Sequence, residues 1–139
     1  MAAFFMSRFE EITLAILRVM AGLMLMQHGA QKILGLLGGE VAPVLSRGWF
    51  AGWLELVLGA MVALGLCTRI AAFVLSGEMA FAYFLVHAKQ GFWPVMNRGE
   101  LPALYCFVFL YLSSRGGRYS LDAVLARRRG TPPERRATS

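Results

Sequence analysis

The residues best suited to chemistry in this 139-residue chain are few, and they sit among apolar neighbours. The stretch QHGAQK places His28 and Lys32 four residues apart, one helical turn, directly after the apolar run TLAILRVMAGLMLM. Glu55 interrupts a second apolar run, WFAGWLELVLGAMVALGL; His87 closes a third and Glu100 precedes a fourth. A carboxylate beside a histidine and a lysine can pass protons or grip a polar headgroup, because histidine titrates near neutral pH and both donates and accepts hydrogen bonds. The ligand-binding or proton-handling candidates are therefore His28, Lys32, Glu55, His87 and Glu100. Arg18 and Glu78 each lie inside an apolar run, where an ion pair locking two helices together is the simplest role. No catalytic residue is assignable, since Ser46, Ser76 and Ser113 stand in no motif that would activate a hydroxyl. Cys67 and Cys106 belong to no CxxC pair or metal-ligand spacing. Two histidines and two distant cysteines are also poor material for a haem or iron–sulfur site, so no metal or intrinsic cofactor is expected.

The elements that must position these groups read as membrane helices. The chain is 58% hydrophobic and only 16% charged, whereas an average soluble domain is nearer half apolar and about a quarter charged. Four segments approach the length of a span: residues 12–33, 49–66, 70–87 and 101–114. The last is short and must tilt or thin the bilayer. A central charge costs about 2.5–3.5 kcal/mol on insertion, and each Leu, Ile, Phe or Val returns about 0.3–0.6 kcal/mol, so the apolar residues of segments two and three offset their single charges. IAAFVLSGEMAFAYFLV is apolar all round apart from Glu78, the pattern of a helix in lipid or fully buried. The expected fold is an all-α membrane protein: a four-transmembrane-helix bundle with a short C-terminal interfacial helix begun by Ser120. Residues 1–125 form that domain, and residues 126–139 form a basic disordered tail.

The net charge is +6, and seven arginines follow residue 114. Basic residues flanking apolar segments mark the cytoplasmic side, which predicts a multi-pass bacterial inner-membrane protein with both termini cytoplasmic. The lipid bilayer, not nucleic acid, is the expected partner, since no basic–aromatic RNA-binding signature is present. In this orientation QHGAQK, His87 and Glu100 lie at the outer helix ends. Arg18 and Glu78 lie at similar depth, roughly 9–12 Å from the inner ends, which pairs them; Glu55 pairs with His28 or Lys32. Each charge rides on a stripe of small residues: Gly22 and Gly29 in segment one, Gly52 and Gly59 in segment two, Ala71 and Ala82 in segment three. The charges are therefore expected to face the bundle interior. Cys67 and Cys106 fall at different depths, and no disulfide joins them.

These features resemble the DoxX family of small four-helix membrane proteins. The resemblance rests on Arg18 followed by His28–Gly29 and Lys32, on Glu55, and on Gly65 with Arg69. It continues through NRGE, residues 97–100, and GRYSLD, residues 117–122, with Gly116 where many relatives have proline. It implies an integral subunit of a redox or oxidative-stress system that works with soluble or membrane redox proteins. Some members are similar to a subunit of thiosulfate:quinone oxidoreductase, others are linked to superoxide dismutase and thiol oxidoreductase partners, and many have no established activity. On this reading the outer polar groups hold a quinone or another small amphipathic ligand, and the protein is a quinone-interacting or non-catalytic subunit. Two rival readings follow from the same residues. One is a small-solute or lipid carrier, which four short helices could form only as a homo-oligomer. The other is a non-catalytic scaffold that docks soluble partners through its basic tail.

Overall fold

A computed structural model describes residues 2–129. Among the described residues the chain is helical throughout, with six α-helices: α1 (Ala2–Leu34), α2 (Arg47–Leu64), α3 (Thr68–Ala82), α4 (Pro94–Asn97), α5 (Glu100–Arg115) and α6 (Leu121–Arg128). Helix α3 continues through a π-helical turn, Tyr83–His87, and a 3₁₀ turn, Ala88–Gln90. Two stretches, Arg47–Leu64 and Thr68–Gln90, are long and apolar enough to cross a membrane, where the sequence led to four expected spans. Helix α5 has 16 residues, short of the roughly 20 that a span requires. Helix α1 begins ten residues before the expected residue 12, because AAFFMSRFEE contains no Gly or Pro to stop a helix and its charges are compatible with one. The expected boundary between domain and tail falls inside α6, and residues 130–139 lie outside the described residues.

The bundle is two antiparallel pairs. Helix α1 packs along α2, α3 packs along α5, and α2 meets α3 to join them. The α1–α2 seam is set by glycine: a Cβ on Gly22 would stand 2.6 Å from the Gly59 carbonyl oxygen, and one on Gly29 would stand 2.6 Å from that of Gly52. These backbones touch, as the small-residue stripes predict. The core between the pairs is filled by Leu25, Val62, Leu75, Phe109 and Leu112, all essentially inaccessible. The outward faces remain apolar, with Phe73, Phe81 and Phe107 each more than 60% exposed.

The α2–α3 turn is closed from a distance. Helix α2 ends in a left-handed Gly65 (φ 76°), with the Leu66 amide donating to the Met61 carbonyl. Cys67, the residue before α3, is also left-handed (φ 47°) and offers no side-chain cap of its own. The cap comes from Asp122 at the start of α6, whose carboxylate accepts the Cys67 amide at 2.8 Å, the Thr68 amide at 2.9 Å and the Thr68 hydroxyl at 3.1 Å. Ser120 caps α6 by accepting the Ala123 amide at 3.2 Å, as expected. The GRYSLD segment thus folds beneath the bundle and ties its end together. Both cysteines are free thiols.

Candidate functional site

At the opposite end from this turn, the close α1–α2 crossing brings Lys32 to Glu55. The Lys32 Nζ donates to both carboxylate oxygens, at 2.6 and 2.7 Å, and Glu55 is 3% exposed. Gly29 and Gly52 make this possible, since side chains there would hold the helices apart. Charge-assisted contacts of this length are among the strongest that side chains form. His28 lies one turn from Lys32 on the same face of α1.

These groups border a cleft of about 170 Å³. Its walls come from four elements: Leu25, His28 and Lys32 of α1, Glu55 of α2, Met79, Ala82 and His87 of α3 and its π turn, and Leu101, Pro102 and Tyr105 of α5. The lining is mostly apolar with a few convergent polar groups, the usual make-up of a small-molecule site. Tyr105 is 6% exposed, and its hydroxyl has no hydrogen-bond partner. A buried tyrosine hydroxyl normally finds one.

The wider π-helical turn carries His87 to the cleft, where such turns often mark functional sites. The His87 Nδ1 lies 3.0 Å from the Asn97 carbonyl oxygen. A carbonyl can only accept, so Nδ1 carries the proton and Nε2 is left for other partners. Asn97, completely buried, holds the loop that orients His87. Its amide donates to the Gly91 carbonyl at 2.6 Å and its side-chain oxygen accepts the Gly99 amide at 2.8 Å. Tyr83 adds a hydroxyl donation to the Phe92 carbonyl.

The structure corrects the expectations for three residues, Arg18, Glu78 and Glu100. Arg18 does not pair with Glu78. Glu78 stands ten residues into α3 and Glu55 nine residues before the end of α2. Counted from the turn that joins those helices, both carboxylates lie about 14–15 Å along the bundle. Arg18 lies instead at the level of the turn, close to Gly65 and Gly117. One of its guanidinium nitrogens donates to the Tyr119 carbonyl at 2.6 Å, and the other two have no hydrogen-bond partner. Both Glu78 oxygens are likewise buried without a hydrogen-bond partner. The third correction concerns Glu100, which is exposed on the first turn of α5 and does not border the cleft. Its negative charge there favours the helix dipole.

Two residues of the site escaped the sequence reading. Tyr105 was legible only as one of two tyrosines in the apolar run LPALYCFVFLYL, and Asn97 only as the first residue of NRGE near a helix start. As assembled, the cleft offers the Tyr105 hydroxyl, the third hydrogen of the Lys32 ammonium and the imidazoles of His28 and His87 against apolar walls. It suits an apolar ring that bears acceptor oxygens.

The chain belongs to the DoxX family, whose model matches residues 13–88. An uncharacterized Haemophilus influenzae protein is 40% identical, over 84% of this chain and 93% of its own length. A Mycobacterium tuberculosis protein named as an uncharacterized membrane protein is 33% identical, over 81% of this chain and 80% of its own. A Bacillus subtilis protein named "Putative oxidoreductase CatD" is 27% identical, over 82% of this chain and 87% of its own. No solved structure is significantly similar.

Proposed function

We propose that this protein is an integral membrane subunit of a redox or oxidative-stress system, and that its cleft receives the polar head of a quinone or another small amphipathic molecule. The observation that carries the reading is the buried Tyr105 hydroxyl without a partner, in a cleft bordered by the Lys32–Glu55 pair. Four spans are proposed: the membrane-crossing parts of α1, α2, α3 with its continuation, and α5, with both termini cytoplasmic. The exposed phenylalanines on the outward faces, the two long apolar stretches and the membrane name of the M. tuberculosis relative support a lipid surround. The name of the B. subtilis relative supports a redox setting.

A bound quinone would supply two-electron, two-proton redox chemistry, which the side chains alone do not. The residues fit its head. Tyr105 would donate to one ring oxygen, and Lys32, steadied by Glu55, would offer a second donor. His87, held by Asn97, presents Nε2 to take up or release a proton. The cleft volume suits a single substituted ring, and any attached tail would have to lie outside the cleft. Leu14, Leu75, Phe109 and Leu112 fill the bundle below the cleft, which favours a binding site over a solute path.

The test is extraction of the tagged protein in mild detergent, followed by mass spectrometry of retained small molecules and titration with a short-chain quinone. The native protein is expected to retain or bind quinone, and Tyr105→Phe and Glu55→Gln to weaken it at least tenfold. Equal binding by native protein and both variants would refute the assignment.

A further inference from the structure

A second groove of about 330 Å³ lies at the other end of the bundle, bordered by Leu64, Arg118, Tyr119, Ser120, Leu121, Val124 and Arg127. We infer that it is a binding site for the phosphate of one anionic phospholipid, clamped between Arg118 and Arg127 with an acyl chain lying over Leu64, Leu121 and Val124.

Four observations carry this. Charge comes first: Arg118 and Arg127 are exposed and both border the groove, and neither guanidinium has a carboxylate within ion-pair distance among the described residues, although the Arg118 backbone amide donates to the Glu11 carboxylate at 3.2 Å. Two guanidiniums bordering one groove offer forked donors suited to phosphate oxygens. The second is the floor. Leu64 is 59% exposed, and Leu121 and Val124 are more than 40% exposed, so the groove is basic at its rim and apolar within. The third is level. Leu64 ends the stretch Arg47–Leu64, which is long and apolar enough to cross a membrane, so the groove opens where that stretch would reach the headgroups. The fourth is rigidity. The Asp122 amide donates to the Gly65 carbonyl at 2.9 Å while its carboxylate holds Cys67 and Thr68, and Ser120 is 7% exposed with its hydroxyl donating to the Gly117 carbonyl at 2.7 Å. Helix α6, which carries Arg127, is thus fixed to the end of α2.

The experiment uses the full-length protein in mixed micelles with phosphatidylglycerol or phosphatidylcholine, and reads retained lipid by native mass spectrometry. Native protein is expected to retain one phosphatidylglycerol in preference to phosphatidylcholine. Each of Arg118→Gln and Arg127→Gln is expected to lower that retention about fivefold, the worth of one basic residue at an anionic surface. Arg128→Gln and Arg129→Gln, which do not border the groove, are expected to change it less than twofold. Equal losses from both pairs would mean a diffuse basic surface and overturn the site. Loss of phosphatidylglycerol to millimolar inorganic phosphate would make it a free-phosphate site and also overturn it. Binding of quinone at the distant cleft is untouched by these variants, so the two proposals fail separately.

Discussion

Glu55 and Glu78 stand at one level of the bundle, yet Lys32 serves Glu55 alone, and the carboxylate of Glu78 is buried with no hydrogen-bond partner. Two carboxyl groups and one ammonium therefore lie near the cleft, with Arg18 far away at the turn. A bundle evolved only to cancel buried charge would have paired Arg18 with Glu78. This one keeps a carboxylate close to its cleft instead.

That arrangement predicts no coupling between Arg18 and Glu78. In a double-mutant cycle of Arg18→Leu and Glu78→Gln, followed by denaturant unfolding in micelles, the two effects are expected to add within about 0.5 kcal/mol. A coupling of about 1 kcal/mol or more would restore the ion pair.

The Lys32–Glu55 pair behaves oppositely. Lys32→Met strands the buried Glu55 carboxylate and is expected to cost about 3 kcal/mol, whereas Glu55→Gln leaves a partly exposed ammonium and is expected to cost less. The double variant is expected to cost clearly less than the sum. Additive costs, read by the same unfolding assay, would show that the contact contributes nothing as a pair.

Two glycines give predictions of opposite sign. A methyl on Gly29 would meet the Gly52 carbonyl and the Leu56 backbone, neither of which can yield, so Gly29→Ala is expected to destabilise by about 1–3 kcal/mol. Gly77, mid-helix in α3, has open space where a methyl would stand, with nothing within 4 Å, and Gly77→Ala is expected to stabilise by up to about 1 kcal/mol. Thermal unfolding of both variants checks the contrast.

The borrowed cap of α3 is the fourth test. Asp122→Ala removes three hydrogen bonds to a carboxylate and is expected to cost about 2 kcal/mol, with Asp122→Asn intermediate. Hydrogen exchange at Cys67 and Thr68 is expected to rise more than exchange at the α3 centre. Uniform protection across α3 in Asp122→Ala would remove the cap from the account.

Much of this was readable in the chain. Small residues at helical spacing marked the α1–α2 contact, and the positions of Lys32 and Glu55 on those stripes predicted their meeting. The start of α1 was not readable from hydropathy, which marks where lipid would end and not where helix ends; hydrogen bonding continues through Arg8 and Glu10 regardless. The Arg18–Glu78 pairing failed through depth. Starting segment three at residue 70 hid two residues of α3, and the level of Arg18 depends on how α1 slides along α2. Tyr105 was hidden because its importance comes from what it lacks, a partner, and only packing reveals that. The cap by Asp122 joins residues 55 apart in sequence, beyond the reach of any local motif.

That same cap has a bearing on how the protein is made. The amides that open α3 wait for a carboxylate that the ribosome adds only 54 residues after Thr68. Helices α1 to α5 can all have been synthesised while the end of the bundle is still unsecured. A chain cut short before Ser120 would keep every residue of the cleft but not the tie that holds its helices in register. Truncation before α6 would leave the amides of Cys67 and Thr68 without this cap, exposing a loose helix end to proteases.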